Sequence, residues 1–159
     1  MKIAILSDSH NRTEGMGNAL SKVSAVIDAL IHLGDGCTDI DRYKYSYPNI
    51  EFYSVCGNCD YAVYGKDEYV FELAGKRIFI THGHLYDVKF GYKKIISAAK
   101  RKSADICMFG HTHEAVIFYD EEILFINPGS ITFEDGKGSR SFAMLEITSM
   151  SADVNIMRL

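Results

Sequence analysis

The chain has 159 residues, 47% of them hydrophobic and 24% charged, with a formal net charge of −4. A length of this order suits one domain that buries about 70% of its unfolded surface, which excludes a disordered chain. The acidic balance excludes a general nucleic-acid binder, which carries a basic excess. No apolar run approaches the roughly 20 residues of a membrane helix.

The N-terminus, MKIAILSDSHNR, has a single Lys before a short apolar run and does not read as a signal peptide. The expected location is therefore cytoplasmic. The four cysteines, Cys37, Cys56, Cys59 and Cys107, are then expected as reduced thiols.

Taken in chain order, Met1 to Ser7 reads as a buried strand, because Ile3, Ala4, Ile5 and Leu6 form an unbroken apolar run. Asp8-Ser9-His10-Asn11 ends it. A helix is expected over Glu14 to Ser24, with Met16, Leu20 and Val23 at helical spacing. Ala29 to Leu33 is a second strand, closed by Gly34-Asp35-Gly36. A helical stretch from Asp39 to Tyr45 stops before Pro48, since the residue preceding proline avoids the helical region. Ile50 to Val55 is a third strand, ended by Cys56-Gly57-Asn58-Cys59-Asp60.

Glu68 to Leu73 and Arg77 to Thr81 form a hairpin pattern around Ala74-Gly75-Lys76, and His82-Gly83-His84 follows. Tyr92 to Lys102 is a basic helix, with Ile95, Ile96 and Ala99 on one side. Its Lys93, Lys94, Lys100, Arg101 and Lys102 read as a solvated face. Asp105 to Phe109 is another buried strand, ended by Gly110-His111-Thr112-His113. The rest, Ala115 to Tyr119, Ile123 to Ile126, Phe142 to Ile147 and Val154 to Met157, alternates like an antiparallel meander. The pattern predicts a mixed αβ fold of two sheets packed face to face with helices outside.

Five strands thus end in short turns that carry Asp8 and His10, Asp35, Asn58, His82 and His84, and His111 and His113. Five of the six histidines lie there; the sixth, His32, falls inside a strand and reads as a core residue. Ligands of open αβ sheets bind beyond the carboxyl ends of the strands, so the turns are expected to share one crevice. Imidazole, carboxylate and amide oxygen donors suit Mn, Fe, Co, Ni or Zn. Alternation along an extended segment would send Asp8 and His10 to one side, and likewise His111 and His113. Gly34, Gly57, Gly83 and Gly110 would allow tight turns. Seven protein ligands exceed what one four-coordinate metal needs and are ample for two.

Read in order, DSH at 8–10, GD at 34–35, GNCD at 57–60, HGH at 82–84 and GHTH at 110–113 resemble the calcineurin-like metallophosphoesterase superfamily. The likeness runs from Ile3 to about Ser130. With Asn127-Pro128-Gly129-Ser130, it is greatest to the small YfcE-like phosphodiesterase branch, to which the eukaryotic retromer subunit is related. The resemblance implies a four-layer αββα sandwich of two mixed sheets and a metal-dependent phosphodiesterase. Asp8, His10 and His113 would hold one divalent cation, Asn58, His82 and His111 a second, and Asp35 would bridge them. Manganese is the first expectation, with iron, nickel, zinc and cobalt as alternatives. The implied substrate is a small phosphodiester or nucleotide-type molecule, and a homo-oligomer is compatible with the sequence.

Many members carry His after the Gly-Asn pair, where this chain has Cys59. Cys59 is then either a neutral filler near the metals or a weak acid tuned by them. His84 is the nearest alternative acid, or a hydrogen-bonding support for the ligands. Arg12 is either a donor to the phosphate or a surface residue, and Asp60 could orient a ligand. The rival readings are a protein-binding scaffold with a vestigial metal site and a redox or zinc protein using Cys56 and Cys59.

Overall fold

The computed structural model describes residues 1–61, 65–132 and 140–159. Ten strands and three α-helices follow one another as β1 (Lys2–Leu6), α1 (Glu14–Val23), β2 (Ala29–His32), α2 (Asp41–Lys44), β3 (Glu51–Ser54), β4 (Glu68–Leu73), β5 (Lys76–Thr81), α3 (Lys93–Arg101), β6 (Ile106–Met108), β7 (Ala115–Asp120), β8 (Ile123–Pro128), β9 (Ser141–Ile147) and β10 (Ala152–Arg158). Two single 3₁₀ turns, His84–Tyr86 and Val88–Phe90, precede α3. They were not expected from the sequence, whose polar and aromatic residues there show no periodicity.

The strands divide into two mixed sheets of five. One has the order β10-β9-β1-β2-β3 and the other β4-β5-β6-β8-β7. Parallel pairing joins β1, β2 and β3 in the first, where Ile3 faces Ala29 and Leu30 faces Phe52, and β5, β6 and β8 in the middle of the second, where Ile78 faces Ile106 and Ile106 faces Leu124. Antiparallel strands complete both edges of the second sheet and one edge of the first, whose other edge is the parallel strand β3. The C-terminal strands are therefore not one meander. β7 and β8 join the second sheet as a hairpin, and β9 and β10 join the first.

Three apolar layers hold the stack together. Strands buried on both faces carry unbroken apolar runs, which is why β1, β2 and β5 read as they do. Ile3, Ile5 and Ile31 of the first sheet pack on Ile78, Ile80, Met108 and Ile126 of the second. The alternate residues Ala4, Leu6, Leu30 and Phe142 pack outward on Met16, Ala19, Leu20 and Val23 of α1. On the other side Phe79, Cys107 and Phe125 pack on Ile95, Ala98 and Ala99 of α3. This is a four-layer αββα arrangement. Lys93, Lys94, Lys100 and Arg101 lie on the solvent side of α3, while Lys102 bonds Glu68 at 2.5 Å.

Candidate metal centre

The carboxyl ends of β1, β2 and β3 in one sheet, and of β5 and β6 in the other, lie at one rim of the sandwich. Hydrogen bonds tie the turns together: Asp8 N–H donates to Gly34 O at 3.0 Å, His10 N–H to Asp35 O at 2.8 Å, and Gly110 N–H to His82 O at 3.0 Å. Close approach requires missing side chains. A Cβ on Gly57 would stand 2.2 Å from Asp35 Oδ1, and one on Gly110 would stand 1.9 Å from Ser7 Oγ.

Six of the candidate side chains meet. Asp8 Oδ1 lies 3.2 Å from His113 Nε2 and 4.0 Å from both His10 Nε2 and His82 Nε2. Asp35 Oδ2 lies 3.5 Å from His82 Nε2 and 3.9 Å from His10 Nε2, and His82 Nε2 lies 3.1 Å from His111 Nδ1. Ligand atoms of Asp8, His10 and His113 fall within 4.8 Å of one another, as do those of Asp35, His82 and His111. Asn58 is exposed on the neighbouring turn, its amide donating to Cys59 Sγ at 3.4 Å.

These donors fit divalent metal binding. Asp8 Oδ1 is buried with no hydrogen-bond partner, although three imidazole nitrogens face it. The ring proton of His82 sits on Nδ1, which donates to Leu33 O at 2.7 Å, and this turns the Nε2 lone pair into the cluster. A buried carboxylate and a buried imidazole lone pair aimed at the same space are satisfied by a cation.

Electrostatics follow from the crowding. Burial opposes charge on Asp8 and Asp35, but the imidazoles of His113 and His82 around them hold both carboxyls below the usual range. Burial pulls His82 down and is outweighed by the carboxylates of Asp35 and Asp8, so its pKa is raised. Burial, with His82 and Lys89 nearby, pushes His111 down to about 4. Burial and His82 also lower His84, whose ring lies 5.4 Å from that of His82 and 6.2 Å from that of His111.

The paired side chains are not aimed by strand pleating. Asp8, His10, Asp35, His111 and His113 all have φ between 46° and 69°, so they lie in left-handed turns and not in extended chain. Pleat alternation therefore does not aim them, and His111 and His113 fall into different donor groups. Non-glycine residues in this region cost about 1–3 kcal/mol each and cluster at functional sites.

Several supports gave little or no sequence signal. Ser9 Oγ donates to Asp39 Oδ2 at 2.6 Å and contacts His32 Nε2 at 2.9 Å, while Asp39 also accepts Asn11 N–H. His32 is thus a satisfied buried residue that braces the Asp8–Asn11 turn. Asp60 accepts N–H groups of Gly36, Cys37 and Gly57, so it joins two turns through their backbones and not by orienting a ligand ring. Asn127 Nδ2 donates to Gly110 O, and Ser130 and Thr132 hydroxyls donate to Asp8 O. Only the Asn-Pro-Gly-Ser string hinted at these.

The remaining candidates sit at the rim. Cys59 is exposed, and its Sγ lies in one group with His10 and Asp35, while its N–H donates to Asp35 Oδ1 at 2.8 Å. Arg12 is exposed and, with Thr132 and Arg140, lines a cleft of about 160 Å³. A cavity of about 620 Å³ lies between Tyr86, Phe90 and Tyr92, and its lining contains none of the clustered Asp and His side chains.

Residues 1–150 match the calcineurin-like phosphoesterase superfamily domain. A probable metallophosphoesterase of Bacillus subtilis, YsnB, is 34% identical over 97% of this chain and 89% of its own. The phosphodiesterase MJ0936 of Methanocaldococcus jannaschii is 28% identical over 81% of this chain and 83% of its own. A crystal structure from Streptococcus pneumoniae, of a protein described as a predicted phosphoesterase, superposes with a TM-score of 0.81 at 29% identity, over 99% of this chain and 88% of that one. With the motifs, the sandwich and the match over nearly its whole length in agreement, this chain belongs to the calcineurin-like phosphoesterase superfamily.

Proposed function

We propose that the protein is a phosphodiesterase with a dinuclear metal centre, acting on small phosphodiester or nucleotide-type substrates. The observation that carries this reading is the convergence of Asp8, His10, Asp35, His82, His111 and His113 from both sheets onto one set of mutually facing donor atoms. Asp8, His10 and His113 hold one cation, His82, His111 and Asn58 the other, and Asp35 serves both. Manganese is the first choice of metal, with iron, nickel, zinc and cobalt as alternatives.

When bound, two divalent cations supply an acidified water as nucleophile and neutralise charge on the phosphoryl oxygens. The residues do the rest. Hydrogen bonds from His82 Nδ1–H to Leu33 O and from Cys59 N–H to Asp35 Oδ1 fix the donors before substrate arrives. The low proton affinity of His111 leaves its imidazole neutral and ready to ligate at pH 7. His84 stands beside the two ligand imidazoles and serves as a hydrogen-bond donor toward the leaving oxygen. Cys59 fills the rim position where other members place His, which favours diesters over monoesters with their poorer leaving groups. Arg12, at the cleft beside the Asp8 turn, is a donor to a substrate oxygen.

A scaffold with a vestigial site would have shed ligands, whereas all seven positions here keep donor side chains. The test is hydrolysis of an aryl phosphodiester with added Mn²⁺. Turnover that disappears with chelator and in Asp35→Ala supports the reading. Absence of turnover with every one of the candidate metals overturns it.

A further inference from the structure

Two turns of the rim carry a second chemical feature. Cys37 follows the Gly34–Gly36 turn after β2, and Cys56 opens the turn after β3. Although 19 residues apart, their Sγ atoms stand 3.0 Å from each other. Both residues are buried, each only 6% exposed, and both are free thiols. A bonded pair of sulfurs is separated by about 2.04 Å, so closure needs a movement of about 1 Å.

The sulfurs do not form a metal site with their neighbour. Asp60, the third member of this cluster, already spends Oδ1 on the N–H groups of Gly36 and Cys37 and Oδ2 on that of Gly57. Nor is the Cys56-x-x-Cys59 string a pair. Cys56 Sγ turns inward to Cys37, whereas Cys59 Sγ turns to His10 and Asp35.

We propose that Cys37 and Cys56 are an oxidation site, converted by hydrogen peroxide to a disulfide that staples the β2 turn to the β3 turn and lowers hydrolysis. Peroxide transfers one oxygen to the first thiol, giving a sulfenic acid and one water. The second thiol attacks that sulfur, the S–S bond forms, and the oxygen leaves as a second water. Two electrons pass from the sulfurs to one peroxide, and a small dithiol returns them. Disulfides in reducing compartments are mostly transient and regulatory.

The effect on hydrolysis rests on the phosphodiesterase reading; the bridge itself does not. Cys37 lies two residues beyond Asp35, and Cys56 two before Asn58, so a pull of about 1 Å between the sulfurs is felt by both donors. Misplacement of that size can cost about 100-fold in rate.

The test uses the purified full chain, reduced and then exposed to millimolar peroxide over hours, since buried thiols react slowly. Denatured thiol titration should fall from four to two, and mass mapping without reductant should join the Cys37 and Cys56 peptides. Mn²⁺-dependent hydrolysis should fall at least tenfold and return with dithiothreitol, while Cys37→Ala should keep its rate under peroxide. Four surviving thiols, oxidation confined to Cys59, a Cys56–Cys59 bridge, or a tightly held cation released by Cys37→Ala would each overturn the proposal. So would a Cys37→Ala variant inactivated as fast as the parent, or a mapped bridge with undiminished hydrolysis. Should the reduced protein hydrolyse nothing, the functional reading fails alone, and thiol count and mapping still decide the bridge.

Discussion

Asp35 combines three roles in one side chain: Oδ2 faces His82 and His10, Oδ1 accepts Cys59 N–H, and its position ties one donor group to the other. Asp35→Asn keeps the shape and removes the charge. The expected outcome is loss of at least 100-fold in Mn²⁺-dependent hydrolysis, with fewer than two metals per chain by elemental analysis. His32 leads to a pH prediction. Burial, opposed by Asp8 and Asp39, lowers its pKa from 6.5 to about 4. The unfolded chain therefore takes up this proton first, and the stability it represents is present above pH 6.5 and lost as pH falls toward 4. Between pH 7 and 5 the loss is about 2 kcal/mol from this residue. Denaturant titration of metal-free protein measures it, and His32→Asn should remove that share of the slope.

At the level of elements, α3 and the rim turns make opposite demands. Ile95 is fully buried in the apolar layer that contains Phe79 and Phe125 and is not one of the clustered donors. Ile95→Ala should cost about 3 kcal/mol in chemical denaturation while leaving turnover per folded molecule unchanged. Gly57→Ala should behave the other way. Its Cβ would press on Asp35 Oδ1, so metal affinity should drop at least tenfold by titration calorimetry with little change in circular dichroism. The same contrast explains what could be read from the chain itself. Strands β1, β2, β5 and β6 announce themselves as apolar runs cut short by Gly, Asp and His, and this alone brings the donor residues to one rim. The destination of the last two hairpins does not show, because alternation reveals that a strand pairs but not with which sheet. Cys37 and Cys56 meet across two separate turns, a contact with no local pattern, and Asp39 looks like an ordinary residue at the entry to a helix.

For the whole molecule, the rim is where the two sheets are joined by polar groups and not by the apolar layer of Ile3, Ile31, Ile78 and Met108. Asp8 comes from the first sheet, and His82, His111 and His113 from the second. A cation held by the proposed donors would therefore link the halves as well as complete the site. A metal present at 100 times its Kd adds about 2.7 kcal/mol, which for a chain of this size raises Tm by about 5–10 °C. Differential scanning fluorimetry with and without Mn²⁺ should record this rise in the parent and lose it in Asp35→Asn. No helix among the described residues is long and apolar enough to cross a membrane.

The left-handed turns at His10, Asp35 and His113 invert an ordinary ranking of substitutions. At most positions alanine is tolerated better than glycine, yet with φ at 46°, 53° and 61° a methyl group is the worse guest. Among inactive variants at these three places, the glycine forms should outlast the alanine forms by about 1 kcal/mol each. Loss of these side chains would thus relieve backbone strain at the same positions where it removes the donor atoms.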